Sequence, residues 1–386
     1  MNDVVVPLLC TLPWTLPPVV AAVRARGSRS LNDVSPEVST DAPFVSVVIP
    51  ARNERRNIER CARSVLSSDY PAFEVIVVDD HSTDGTGELA RAIAAEDPRL
   101  RVIESEPLPN GWFGKQWACA NGARVARGEL LLFTDADTWH RSDLLPRAVS
   151  ALRQRDADLL TIGGHQEMHS FWERVIQPQM FGLLALRYGG TEEVSNTRNP
   201  EHAIANGQFI LVRRSTYDIM DGHERVRDRV AEDLSMAQEW VRAGRRMVMM
   251  LAVDQFSTHM YASLDELVRG WRKNIFAGGR TAAIGGRAGQ LAFPVALLSV
   301  PLIGLAPVVA LVLSLLGVLG TKWLVWSAVS VVASLVYWVA IYHFMRASIA
   351  NALLYPLGLV MFGYIAMGSV LRGQRVEWKN REYLSS

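Results

Sequence analysis

Cysteine is scarce in this 386-residue chain, with Cys10, Cys61 and Cys119 the only three. Neither CxxC nor zinc-finger spacing connects them, which excludes a disulfide scaffold and fits a reducing, cytosolic setting for the soluble part. Charge of one sign is also lacking. Lys and Arg number 40 against 39 Asp and Glu, a formal net charge of +1, so no basic footprint for nucleic acid exists. Glycine-rich GxGxxG and GxxxxGK[ST] loops are absent, which sets aside the usual dinucleotide fold and the P-loop. His140, His165, His169, His202, His223 and His259 repeat no metal-ligand spacing and are read as non-ligands, with Gly163-Gly164 predicting a loop ahead of His165 and His169.

What the chain has in excess is apolar sequence, concentrated at its ends. Val4 to Val23 is apolar but carries Pro7, Pro13, Pro17 and Pro18, and Arg24, Arg26 and Arg29 follow it. An uncleaved anchor, an interfacial helix or a signal sequence would each be apolar. Charges that follow the apolar stretch argue against the signal and, by the positive-inside rule, hold the next domain in the cytosol. At the other end, Trp323 to Phe344 and Ala350 to Leu371 each have the roughly 20 apolar residues a span needs. Leu291 to Gly320 would be about 45 Å long as one helix against a core of about 30 Å. Pro294, Pro301 and Pro307 predict a break there and a re-entrant or interfacial block, which would leave the basic tail Arg372 to Arg381 inside; three plain spans would place it outside. The expected divisions are an N-terminal anchor over 1–29, a polar linker over 30–42, an α/β domain over 43–289, membrane helices over 290–371 and a basic tail over 372–386, in a multi-pass inner (plasma) membrane protein.

Within 43–289, Val45 to Pro50 and Val75 to Val78 read as strands from their β-branched content, and Leu100 to Ile103 as a third. Ile58, Cys61, Ala62, Val65 and Leu66 keep helical spacing, Leu89 to Ala95 forms a helix after the turn residues Asp79 to Thr86, and Gln116 to Arg127 is helical. Alternation of this kind predicts a parallel, doubly wound sheet. Ligands gather at the carboxyl ends of such strands.

Leu130 to Thr134 is an apolar strand that delivers Asp135 and Asp137. In a strand, residues i and i+2 share a face about 7 Å apart, so both carboxylates would converge on one charged ligand. Two buried anions need a partner, and a divalent cation carrying a phosphate-bearing substrate supplies one.

The stretches Val47 to Glu54, Val77 to Thr86, Thr134 to Asp137 and Glu232-Asp233-Leu234 resemble, in this order, the family 2 glycosyltransferases. The resemblance covers about residues 44 to 285. It implies an α/β GT-A type, Rossmann-like nucleotide-diphospho-sugar transferase domain beside transmembrane helices, and an inverting transfer from a nucleotide-sugar donor, commonly a UDP-sugar, with Mg²⁺ or Mn²⁺. Carried over by position, Pro50, Arg52, Asn53 and Glu54 would border the nucleoside and Asp80 would accept from the uracil ring. Asp135 would approach the ribose and share the metal with its main ligand, Asp137. Asp233 would be the general base. Lys115 would face the donor phosphates or simply be solvated.

Longer strings, Pro109 to Lys115, Asn206-Gly207-Gln208, Gly222 to Arg227 and Gly270 to Gly278, are similar to membrane glycosyltransferases of bacterial carotenoid (diaponeurosporenoate) and hopanoid pathways. The tail Trp378 to Tyr383 resembles, more distantly, that of ceramide glucosyltransferases. A lipid acceptor and membrane association are thereby implied, with Asn206, Gly207, Glu232, Trp271, Arg272 and Lys273 as acceptor-side candidates and His223 at the border. Polymer-making members carry Gln-x-x-Arg-Trp; here Leu267 and Gly270 replace the Gln and Arg while Trp271 remains, which favours single-sugar transfer. A processive polysaccharide synthase and a non-catalytic nucleotide-sugar-binding scaffold are the alternatives. The scaffold has no need of a base such as Asp233.

Overall fold

A computed structural model describes residues 9–36, 41–373, 375–378 and 381–384. Val4 to Leu8 of the expected anchor, residues 37–40 of the linker, and Lys379 and Asn380 of the tail lie outside the described residues. In chain order the elements are α1 (Leu12–Ala25), β1 (Val45–Ala51), α2 (Ile58–Leu66), β2 (Phe73–Asp79), α3 (Thr86–Glu96), β3 (Leu100–Glu104), α4 (Gly114–Val125), β4 (Leu130–Thr134), β5 (Thr138–His140) and α5 (Leu144–Gln154). There follow β6 (Leu159–Gly163), β7 (His165–Gln166), α6 (Phe171–Tyr188), β8 (Phe209–Arg213), α7 (Glu232–Arg242), β9 (Met247–Leu251), β10 (Phe256–Thr258), α8 (Leu264–Thr281), α9 (Gly286–Leu315), α10 (Thr321–Phe344), α11 (Tyr355–Arg372) and the hairpin β11 (Arg375–Trp378) and β12 (Arg381–Leu384). Packing divides them into two units: an α/β unit of Ser28–Glu167, Thr191–Met260 and the C-terminal hairpin, and a helical unit of the N-terminal helix with Met168–Gly190 and Tyr261–Gly373.

The α/β unit is built on a seven-stranded sheet in the order β3-β2-β1-β4-β8-β6-β9. Strands β3, β2, β1 and β4 are parallel, with Val47 opposite Val75 and Leu132. Their near-continuous apolar runs follow from burial on both faces, and Val45, Val47, Val75, Val77, Leu130 and Leu132 belong to the main core. The expected all-parallel sheet is corrected in its second half. Strand β8 runs antiparallel to both β4 and β6, so the sheet is mixed. Sequence alternation could not show this, because the chain passes through α6 and the 191–208 segment between β6 and β8 and strand direction is set by that excursion. The small sheet β5-β10-β7 includes His165, so that residue is in a short strand and not in a loop.

The polar linker is also corrected at its start. Ser30 caps a single turn over Leu31–Asp33 and bridges to Leu251, and Leu31 is fully buried in the α/β core.

In the helical unit, α9, α10 and the 349–372 segment ending in α11 are long and apolar enough to cross a membrane. The three prolines do not break α9, which is continuous from Gly286 to Leu315. A proline removes one hydrogen bond to the carbonyl four residues earlier, and that loss is tolerated where another donor takes the carbonyl. Pro307 releases the Ile303 carbonyl, and the Trp14 indole N–H donates to it at 3.1 Å. The same device serves α6, where Pro178 releases the Arg174 carbonyl and the buried Tyr342 hydroxyl donates to it at 2.6 Å. Tyr337, Trp338, Ile341, Tyr342, Tyr355 and Leu359 form the core of this unit. Helix α1 has 14 described residues, about 21 Å of helix.

Candidate active site

The carboxyl ends of β1, β2 and β4 lie side by side, since Ala51 pairs with Asp79 and Val48 with Phe133. Two turns leave β1 and β2 there. Asn53 and His81 adopt left-handed conformations, φ 54° and 53°, a region most tolerable for short polar side chains. The turns are tied together by hydrogen bonds. The Asn53 N–H donates to Ser82 Oγ at 3.0 Å, the Thr83 N–H to Asn53 Oδ1 at 2.9 Å, and the Glu54 N–H to Thr86 Oγ1 at 2.8 Å. Arg52 donates through Nη1 to the Asp80 carbonyl at 2.6 Å and stands 3.6 Å from the Asp80 carboxylate, which is buried. Arg52, Asn53, Glu54 and Asp80 are therefore brought together as one rigid edge.

Asp135 and Asp137 are not in the strand, as their spacing had suggested. β4 ends at Thr134, and both carboxylates stand in the turn that leads into β5. The Thr134 hydroxyl donates to the Gln208 carbonyl at 2.8 Å and the Thr138 hydroxyl to the Asp135 carbonyl at 2.8 Å, so buried threonines fix this turn. His259 donates its backbone N–H to the Asp137 carbonyl at 3.3 Å.

Lys115, on the first turn of α4, is no solvated lysine. Its ammonium lies 2.8 Å from Asp135 Oδ1 and 2.9 Å from Glu232 Oε1. Burial opposes the charge, but the two carboxylates outweigh it and hold the ammonium well above its ordinary range. Asp137 fares differently. Its Oδ1 is buried with no hydrogen-bond partner, and burial, reinforced by the negative charges of Asp135 and Glu54, pushes the carboxyl up to about 8.

Asp233, on the first turn of α7, accepts from the Gly207 N–H at 2.8 Å and from the Leu234 N–H at 2.7 Å. A β-carbon on Gly207 would stand 2.9 Å from Asp233 Oδ2, so only glycine permits this approach. Burial and the neighbouring Glu232 charge raise the Asp233 carboxyl to about 6, against Lys115 and the two backbone donors. A small enclosed cavity of about 10 Å³ is lined by Pro50, Lys115, Asp135, His223, Glu232 and Asp233 among others, which is room for about one water or hydroxyl.

The acceptor-side candidates divide. Gly207 and Glu232 reach this cavity, but the Asn206 amide is turned into its own loop, donating to the Ile162 carbonyl at 2.9 Å and to Gln208 Oε1 at 3.3 Å. Asn206 thus shapes the loop that presents Gly207 and is not itself turned to a ligand. Trp271, Arg272 and Lys273 belong to the helical unit. Trp271 is buried there between Phe181 and Tyr261, and the Arg272 guanidinium lies 4.6 Å from the Tyr364 ring centre. Two residues at the site escaped the sequence reading. Cys119 lines the cavity, four residues after Lys115 and so on the same helical face, a signal the spacing carried. Tyr217, which supports His223, had no such signal, because it stands on a separate short helix, Arg214–Ile219, six residues before the histidine.

Among the described residues no three His, Cys, Asp or Glu side chains converge on a metal position by themselves. The orphaned Asp137 oxygen, crowded by like charges, nonetheless fits a divalent cation whose remaining ligands come from a diphosphate.

Residues 46–219 match the sequence model of Glycosyl transferase family 2. Among curated proteins, 4,4'-diaponeurosporenoate glycosyltransferase of Staphylococcus haemolyticus (strain JCSC1435) is 28% identical over 238 residues, 61% of this chain and 61% of that protein. Beta-monoglucosyldiacylglycerol synthase of Nostoc sp. (strain PCC 7120 / SAG 25.82 / UTEX 2576) is 26% identical over 52% of this chain and 42% of its own length. The chain thus spans no more than 61% of the length of these relatives. A solved mannosyltransferase from Pyrobaculum calidifontis, in complex with GDP-Man and Mn2+, is 19% identical with a TM-score of 0.50, over 89% of this chain and 99% of that one. It shows a shared GT-A fold.

Proposed function

We propose that this chain, which carries a family 2 glycosyltransferase domain over residues 46–219, transfers a single sugar from a nucleotide-sugar, a UDP-sugar in the first instance, to a hydroxyl or carboxyl group of a membrane lipid. The observation that carries this reading is the cluster of Lys115, Asp135 and Glu232 beside an Asp233 pinned by Gly207. A scaffold that only bound nucleotide-sugars would have no use for a carboxylate so held.

In this reading the edge formed by Pro50, Arg52, Asn53, Glu54 and Asp80 takes the nucleoside. Asp137, with Asp135 beside it, would hold Mg²⁺ or Mn²⁺, and the cation would supply positive charge on the side of the departing diphosphate. Lys115 adds a fixed positive charge on the same side. Asp233 takes the proton of the acceptor oxygen as that oxygen bonds to the anomeric carbon and the bond from that carbon to the diphosphate breaks, with inversion. A carboxyl raised to about 6 is a better match to that task near neutral pH than an ordinary aspartate, and a positioned base contributes about 10² to 10⁴ in rate.

Support for the lipid acceptor comes from the relatives, a 4,4'-diaponeurosporenoate glycosyltransferase and a beta-monoglucosyldiacylglycerol synthase, and from three helices long and apolar enough to cross a bilayer. On the positive-inside rule, Arg24, Arg26 and Arg29 hold the α/β unit, as the catalytic region, in the cytosol of a multi-pass inner-membrane enzyme. The test is incubation of the detergent-solubilised enzyme with a panel of nucleotide-sugars and host lipid extract, with and without Mn²⁺, read by mass spectrometry. A mono-glycosylated lipid lost on chelation is the expected result; long polymer, or donor binding without any product, overturns it.

A further inference from the structure

The cavity beside Asp233 contains one group that the transfer chemistry above leaves without a task, the imidazole of His223. It is buried, stands edge-on to Phe133 at 4.5 Å between ring centres, and lies on a short 3₁₀ helix over Gly222–Val226. Its Nδ1 is 2.9 Å from the Tyr217 hydroxyl, and that same hydroxyl oxygen accepts the His223 backbone N–H at 3.2 Å. A phenol has one proton to donate. The phenol is buried and Nδ1 is the one acceptor its proton meets among the described residues, so the hydroxyl donates to Nδ1, which fixes the ring in the tautomer that carries its proton on Nε2. Nε2–H is then the polar atom the ring has left for the cavity.

The ring is also neutral. Burial drives it down to about 3; the Glu232 charge opposes this and the Lys115 charge adds to it. A neutral N–H donor set among the carboxylates Asp135, Glu232 and Asp233, beside a Lys115 ammonium already engaged by Asp135 and Glu232, selects for one kind of ligand atom. A hydroxyl can accept from the imidazole and donate to a carboxylate at once. A phosphate or a carbonyl can only accept, and a methyl can do neither. The cavity volume of about 10 Å³ holds one such group.

We propose that His223 is a substrate-contacting residue: its Nε2–H, held in that tautomer by Tyr217, donates to a single hydroxyl of the sugar or of the acceptor, whose own proton goes to Glu232 or Asp233. The proposal rests on the function given above, because it places the reacting groups in this cavity. Tyr217 is a positioning residue that acts through the ring.

The test compares the unmodified enzyme with His223→Phe, His223→Gln and Tyr217→Phe across a series of singly deoxygenated nucleotide-sugars and acceptor analogues lacking one hydroxyl. Thermal melts report folding. For the unmodified enzyme, one compound in the series loses on the order of 10- to 100-fold in kcat/KM. His223→Phe shows a similar loss with the complete substrates and no further loss with that compound. His223→Gln recovers part of the rate, since its amide N–H can replace Nε2–H, and it also serves as the folded comparison should the phenylalanine variant not fold. Tyr217→Phe, which frees the ring to place its proton on Nδ1, weakens the discrimination. A donor-sugar compound as the sensitive one assigns the contact to the transferred sugar, and an acceptor analogue assigns it to the lipid. Equal sensitivity to every deoxygenation in the unmodified enzyme and the His223 variants overturns the inference alone. No transfer by the unmodified enzyme with any donor overturns the proposed function and the inference with it.

Discussion

The two units put polar side chains to different uses. In the α/β unit, charges are gathered at one place: Lys115 bridges Asp135 and Glu232, while Asp137 keeps an oxygen with no partner. In the helical unit, two polar side chains repair backbone bonds that prolines open, Trp14 at Ile303 and Tyr342 at Arg174. A scattered donor that satisfies a carbonyl needs no ligand to explain it, whereas crowded carboxylates left uncompensated do. The contrast separates stability from chemistry, and each side of it can be broken by substitution.

Asp233→Asn strikes the chemical side hardest. It removes the proposed base and keeps one of the two oxygens that accept from Gly207 and Leu234, so it should lower kcat about 10² to 10⁴-fold while one backbone N–H loses its acceptor at a cost of about 1 to 3 kcal/mol. A large loss of stability with little loss of rate would make Asp233 a capping residue of α7. In the unmodified enzyme, kcat/KM should rise with pH and level off above about 6, because the free base must be ionised and its carboxyl is raised to that value by burial and Glu232. Asp233→Asn should abolish that limb. A limb that survives in the variant would belong to another group.

Asp137→Asn is expected to have a smaller effect on the fold than its burial suggests. A carboxyl raised from 3.8 to about 8 binds its proton more tightly in the folded state. Its contribution to stability is therefore full below about pH 4 and is lost as pH rises through about 8. In metal-free enzyme, denaturant unfolding between those limits should show stability falling with pH, and the asparagine variant should flatten that fall. Mn²⁺ at a hundredfold excess over Kd should stabilise the unmodified protein by about 2.7 kcal/mol and raise its melting temperature, and the same variant should lose that increase. An unchanged Mn²⁺ response would remove Asp137 from the metal site.

Much of the α/β unit was legible because its signals are local. The apolar runs of β1, β2 and β4 and the helical spacing of α2 lie within a few residues of one another, and the acidic strand ends mark the ligand edge. β8 and its reversed direction were not legible, because the pairing of Phe209 with Thr134 depends on the path of the intervening chain. The site shows the same division. Asp135, Asp137 and Asp233 announce themselves as motif residues, but the partners that distinguish them do not. Lys115 meets Glu232 across 117 positions of sequence, and Tyr217 finds His223 from a separate short helix. In the helical unit, three prolines in α9 are local signals that point the wrong way, since the indole of Trp14, far away in sequence, compensates one of them.

Tyr342→Phe tests the structural side of the contrast and carries the smallest expected effect. It deletes one hydroxyl from a fully buried side chain and leaves the Arg174 carbonyl without the donor that Pro178 cannot supply. Leaving a buried acceptor unsatisfied costs about 1 to 3 kcal/mol, so the detergent-solubilised protein should melt a few degrees lower. Rate constants measured below that transition should be unchanged, because no reacting group is altered. If Pro178 is the reason for the tyrosine, combining Tyr342→Phe with Pro178→Ala, which returns an amide N–H to the Arg174 carbonyl, should recover much of the loss. A double variant no more stable than Tyr342→Phe alone would show that the hydroxyl serves something other than the proline, and the distinction between scattered repair and gathered charge would fail at this position.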